Sequence, residues 1–194
     1  FDNIYHEHTN YWSLQTLNKF LGNLGLIIFK AEKIQTHGGS IRIYASQKND
    51  ILVENSVINL LKQEENFGLN KLSTYLEFGK KIQNLKKQVI KNLKLLKEKN
   101  NNIIGYGAPA KATTALNFFN IKDEIDLIVE DNKLKYNKFL PGVNIPIISK
   151  KDLNVEEPLV LVLAWNFFEE IQKNNSDISS KFISIKTLEK DSIN

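Results

Sequence analysis

Over residues 103–185 the chain alternates short, unbroken apolar runs with stretches of helical spacing, and few folds accommodate that rhythm. The runs cover residues 103–106, 125–129, 145–148, 159–164 and 182–185, with helices expected over about 109–119 and from about Asn166. A strand wetted on one face alternates apolar with polar residues. An unbroken run instead marks a strand buried on both faces, as in a parallel sheet whose crossover helices cover it. Right-handed βαβ units connect such strands, so a small doubly wound α/β domain is predicted from about residue 100 onward.

Upstream the pattern differs. Over residues 13–24, Leu14, Leu17, Phe20, Leu21 and Leu24 fall at helical spacing, and Gly22 and Gly25 weaken and then end the helix. Residues 26–34 are rich in Ile and Phe, and residues 40–46 alternate Ile41, Ile43 and Ala45 with Arg42 and Tyr44, which predicts two strands. Thr36-His37-Gly38-Gly39 lies between them, which puts His37 on a hairpin loop whose glycines permit a reversing turn or close approach to a ligand. Residues 52–65 and 69–99 are strongly helical, divided by Gly68, and read as a connector. In the second helix Leu72, Leu76, Ile82, Leu85, Val89, Leu93 and Leu96 form one apolar stripe, suited to packing against a neighbouring domain or subunit.

The turn after the first run of the α/β region carries chemistry. Ile103-Ile104-Gly105-Tyr106-Gly107-Ala108-Pro109-Ala110-Lys111 follows a strand and opens a helix, with Pro109 at a position that needs no amide donor. Gly105 and Gly107 would let backbone amides approach a phosphate that the helix dipole favours, and Lys111 adds a charge. The same turn fits the GxGxxA form of a dinucleotide fingerprint, and Glu130 and Asp131 end the next strand where a ribose-binding acid would sit. A nicotinamide-dependent oxidoreductase is therefore one reading, and a tight turn with no ligand is another. Loops containing Asp131 and Ala164-Trp165-Asn166 lie at further strand ends, where doubly wound sheets gather ligands. Trp165 suits stacking on a base or sugar, or a place in the core.

At the N-terminus, Ile4-Tyr5-His6-Glu7-His8 places two of the three histidines beside a carboxylate and a phenol. Imidazole titrates near neutrality, and such neighbours set its tautomer and basicity, so the cluster points to proton chemistry. Surface histidines near a chain start are the alternative. His6 and His8 have no evident third ligand, so no metal centre is expected.

The chain has 194 residues, 42% of them hydrophobic, enough to bury the core of one domain or of one domain plus a fragment of a second. Its net charge of +4 carries no arginine-rich block or basic run interleaved with aromatics, so nucleic acid is not implied. There are no cysteines, which excludes disulfides and thiolate-bound zinc. With no membrane-spanning apolar run and no secretory signal, a cytoplasmic location is expected. Phe1 stands where a start methionine would, which suggests processing or the downstream part of a longer chain.

Taken together, Phe1-Asp2-Asn3-Ile4-Tyr5-His6-Glu7-His8, His37-Gly38-Gly39-Ser40 with Arg42 and Tyr44, Gly105-Tyr106-Gly107-Ala108-Pro109-Ala110-Lys111, Leu140-Pro141-Gly142 with Ile145-Pro146, and Leu163-Ala164-Trp165-Asn166 occur in one order. In that order the chain resembles the C-terminal region of the S-adenosylmethionine-dependent sugar C-methyltransferases, which act on nucleotide-linked keto-deoxysugars. The resemblance implies three parts. Residues 1–48 would be the closing helix and β-hairpin of a methyltransferase domain, 49–100 a helical connector, and 101–194 a Rossmann-like domain. It implies that His8 is the base that forms a sugar enolate, with Glu7 and Tyr5 orienting it or stabilising the oxyanion. His37, Gly105, Tyr106, Gly107, Lys111, Asp131, Trp165 and Asn166 would contact the nucleotide diphosphate sugar. S-adenosylmethionine would be held mainly by a domain upstream of Phe1, because no donor-binding glycine loop is present, and homo-oligomerisation stays open. A nucleotide-sugar binding module without chemistry of its own is the second hypothesis.

Overall fold

The computed structural model describes residues 3, 4, 6–47, 50–100 and 102–190. The chain forms two compact units, one of residues 6–81 and one from Ile82 onward.

In the first unit, helix α1 (Leu14–Gly22) begins at Ser13, whose hydroxyl accepts the N–H of Thr16 while the Thr16 side chain accepts the N–H of Ser13. Strands β1 (Ile27–Ile34) and β2 (Ser40–Ser46) pair antiparallel around a 3-10 turn at Thr36–Gly38, where Gly38 and Gly39 adopt positive φ. A two-stranded hairpin is marginal in water. Helix α2 (Asn55–Phe67) supplies the missing cover: Val57 and Leu60 pack with Leu14, Ile28 and Ala31 in a buried cluster. Glu64 of α2 adds a polar link, accepting the N–H groups of Leu14 at 2.7 Å and Gln15 at 2.8 Å. It thereby satisfies two of the donors that the start of α1 leaves unpaired.

Helix α3 (Leu72–Lys99) passes from the first unit into the second. Its apolar stripe is used unevenly. Val89, Leu93 and Leu96 are buried in the second unit's core, whereas Leu72 and Leu76 are exposed. Asn92, also buried, donates to the carbonyls of Leu188 and Lys190 and so fastens α3 to the chain's last described turn.

The second unit is built on a six-stranded sheet. Its strands are β3 (Ile103–Tyr106), β4 (Leu127–Val129), β5 (Lys138–Phe139), β6 (Pro146–Ile148), β7 (Leu159–Val162) and β8 (Phe182–Ser184). They lie in the order β5-β6-β4-β3-β7-β8, all parallel except the β5–β6 pair. Every residue of β3 and β7 is buried, as unbroken apolar runs demand. The period of two sorts their side chains between two cores. Ile103, Ile128, Leu161 and Leu163 pack with α3 and helix α4 (Ala110–Phe119), while Ile104, Tyr106, Val160 and Val162 pack with Phe168 and Ile171 of helix α5 (Phe168–Asn174). This is the α/β, mostly parallel sheet expected from the sequence. No helix among the described residues is long and apolar enough to cross a membrane.

Candidate functional site

The chain leaves β3 in one direction to reach β4 and later places β7 on β3's other side, so the strand order reverses at β3. Ligands of doubly wound sheets bind at such a switch point, beyond the C-terminal strand ends. There the second unit has a cavity of about 530 Å³, lined by residues that follow β3 (Gly107, Ala108, Pro109), β4 (Glu130, Asp131, Lys135), β6 (Lys150) and β7 (Ala164, Phe167), with Glu170, Asn174 and Asn175 from α5 and its end.

The polar groups of this wall form two networks. Tyr106, the last residue of β3, has its hydroxyl 2.9 Å from Asp131 Oδ1 and 3.1 Å from Asn175 Oδ1, with one proton to share between them. Lys150 donates to Asn175 Oδ1 at 3.0 Å and to Asp177 Oδ1 at 2.8 Å. Burial, and then the Asp131 carboxylate, push the Tyr106 phenol far above its ordinary range, so it acts as a hydrogen-bond donor and stays protonated. In the second network Glu130 accepts the N–H groups of Ala108, Asp131 and Asn132 and the Lys135 ammonium. Burial opposes its charge, but the Asn132 amide, Lys135 and the Ala108 amide outweigh that cost and hold the carboxyl below its ordinary value.

The glycines have different duties from those expected. Gly105 does not line the cavity, and a Cβ there would stand 2.9 Å from both Ile128 and Leu163, so its smallness serves packing between neighbouring strands. Gly107 does line it, at φ +85°, with Ala164 so close that a Cβ would come within 2.9 Å. Its N–H donates to Val129 and the next donates to Glu130. Neither of those two amides is presented to a dinucleotide pyrophosphate, and Glu130 is not poised as a ribose acceptor. The GxGxxA reading loses its physical basis here.

Of the other expected contacts, Tyr106 and Asp131 meet in the cavity wall. Lys111 does not reach it; its ammonium lies over the ring of Trp165, 5.1 Å from the centroid. Trp165 is 7% exposed and packs in the core of the second unit. It shares with Asn166 the wall of a separate depression beside Phe168 and Lys186. Lys135, Lys150, Asn174 and Asn175 line the cavity without having been singled out beforehand.

His6, Glu7 and His8 of the N-terminal cluster lie in the first unit, ahead of α1. His6 Nε2 is 3.8 Å from Glu7 Oε1, both side chains exposed, and His8 is partly buried. Tyr5 lies outside the described residues, as does the side chain of His37, whose backbone forms the 3-10 turn between β1 and β2.

Residues 35–185, which span the second strand of the hairpin, both long helices and the whole six-stranded sheet, match the C-methyltransferase C-terminal domain. The chain belongs to that family. It is also 32% identical, over 180 residues, to the C-methyltransferase NovU of Streptomyces niveus, covering 91% of this chain and 43% of that relative. The chain thus spans less than half of that C-methyltransferase's length, and its cavity lies wholly inside the region shared with the family's C-terminal domain.

Proposed function

We propose that this chain is the C-terminal part of an S-adenosylmethionine-dependent C-methyltransferase that acts on a nucleotide-linked keto-deoxysugar. The observation that carries the reading is the polar cavity at the switch point of a C-methyltransferase C-terminal domain. Its carboxylates, amides and lysines suit a hydroxyl-rich ligand better than an apolar one. The cavity would hold part of the nucleotide sugar. In the glycine turn after β3 the Gly107 and Ala108 amides are taken by Val129 and Glu130. In this reading S-adenosylmethionine is held mainly by a domain upstream of this chain.

The chain's own contribution to the chemistry would come from the N-terminal cluster. A ketone acidifies the adjacent ring carbon, His8 removes that proton as a general base, and the resulting enolate is the nucleophile that methyl transfer requires. Glu7 and Tyr5 would orient the imidazole or stabilise the enolate oxygen.

Calorimetry of the full chain tests the division of labour. Binding of a nucleoside diphosphate sugar without binding of S-adenosylmethionine is expected. Tight binding of the donor alone would contradict it.

A further inference from the structure

The Glu130 carboxylate stands where a glycine turn ordinarily offers its amides to a ligand phosphate. Oε2 accepts the N–H of Ala108 at 2.8 Å and the Lys135 ammonium at 3.0 Å, and Oε1 accepts the N–H groups of Asp131 and Asn132, each at 3.0 Å. Lys135 is further committed to the carbonyl of Ala108 at 3.0 Å, and only 11% of the Glu130 side chain is exposed. A phosphate entering this turn would compete for the same amides against a fixed negative charge within hydrogen-bonding distance.

We infer that Glu130 is a resident anion that closes the glycine turn to phosphate, and that the cavity consequently selects an uncharged, hydroxyl-bearing ring, pentose or hexose, whose hydroxyls donate to Asp131. The inference rests on the reading of this cavity as the nucleotide-sugar site. The rest of the wall agrees with it. Three carboxylates, Glu130, Asp131 and Glu170, face two ammonium groups, and Lys150 already has two of its three hydrogens engaged by Asn175 and Asp177. Such a lining opposes a diphosphate and offers acceptors to hydroxyls. Asp131 accepts one bond from Tyr106 and retains carboxylate lone pairs for a ligand. The diphosphate would then lie outside the turn, with the ring inside.

The test uses the full chain labelled with 15N on its amides and 13C on its tyrosine rings, reading the Ala108 and Asn132 amides as reporters of the turn and the Tyr106 ring as reporter of the cavity, with inorganic pyrophosphate as the first probe. The wild-type amides are expected not to respond, whereas those of Glu130→Ala respond with pyrophosphate binding on the order of tenfold tighter. Pyrophosphate that moves the wild-type amides as far as the variant's overturns the inference. Should Glu130→Ala fail to fold, wild-type spectra with uridine, thymidine, glucose 1-phosphate and the corresponding nucleoside diphosphate glucoses decide. The Tyr106 ring is expected to respond while Ala108 and Asn132 stay still, with affinity falling on the order of tenfold in Asp131→Asn. A response to the nucleosides identifies the pentose as the bound ring, and a response to glucose 1-phosphate identifies the hexose. Binding of the conjugates that shifts Ala108 and Asn132 overturns the inference and leaves the cavity's assignment standing. No response to any of these probes overturns that assignment and the inference with it.

Discussion

The Tyr106 hydroxyl donates to Asp131 across 2.9 Å and so ties the end of β3 to the loop after β4 at the point where the strand order reverses. Asn175, at the end of α5, closes the same group from the other side of the cavity. Tyr106→Phe removes the hydroxyl that joins these elements and takes its donor from Asp131, while Asn175 Oδ1 still accepts from Lys150. A loss of about 1–2 kcal/mol is expected, together with weaker nucleotide-sugar binding. Urea unfolding followed by circular dichroism measures the first and calorimetry the second. Unchanged stability would mean that water replaces the hydroxyl without cost.

Glu64→Ala addresses the first unit. The substitution removes the acceptor for the N–H groups of Leu14 and Gln15 and leaves the former buried, so a loss of about 1–3 kcal/mol is expected. Glu64→Gln keeps one acceptor oxygen and is expected to lose less. Equal effects in the two variants would argue that packing, and not the capping contact, is what Glu64 contributes.

Gly105→Ala separates packing from ligand approach. Its new methyl group would press on Ile128 and Leu163 at 2.9 Å within the sheet core, and overpacking of this kind costs about 1–3 kcal/mol. A variant as stable as the wild type, with only its ligand affinity reduced, would restore the ligand-approach reading of that glycine.

These contrasts show where the sequence was legible. The unbroken runs around Ile104 and Leu161 identified the central parallel strands because burial on both faces leaves no room for polar residues. Strand β5 escaped notice because it is two exposed residues, Lys138 and Phe139, paired at a sheet edge and preceded by Asn137 at positive φ. Spacing alone could not divide the stripe on α3. Leu72 at 74% exposure and Leu93 at 0% occupy the same helical face, and what decides between them is which tertiary neighbours each meets.

The cavity was half legible for a similar reason. Tyr106 ends β3 and Asp131 lies just beyond the end of the adjacent β4, so a motif and a strand end were enough to find them. Lys150 and Asn175 meet only through the fold, being separated by β7 and α5, and neither belongs to a local pattern. Glu130 was visible as an acid at a strand end, but its capture of the Ala108 amide depends on the parallel register that sets β3 beside β4.

Glu130 also makes a prediction about pH. Its carboxyl is held below the ordinary value of 4.5, so in mild acid the unfolded chain takes up a proton that the folded chain resists. The stabilisation is fully present above about pH 4.5 and is lost as the pH falls through the lower folded value. Glu130→Gln cannot titrate and is expected to show a shallower loss of stability over that range, measured by urea midpoints at successive pH values. Parallel curves would assign the acid sensitivity to other carboxylates.

The proposed role of His8 as base is tested most directly by solvent deuterium exchange at the carbon beside the ketone of the proposed sugar substrate, in a C-methyltransferase that includes this chain. The wild type is expected to exchange that position. His8→Ala is expected to lose both exchange and methyl transfer by roughly 10²–10⁴-fold, while its affinity for the nucleotide sugar stays within a factor of about two. A His8→Ala enzyme that exchanges and methylates at the wild-type rate would contradict the account.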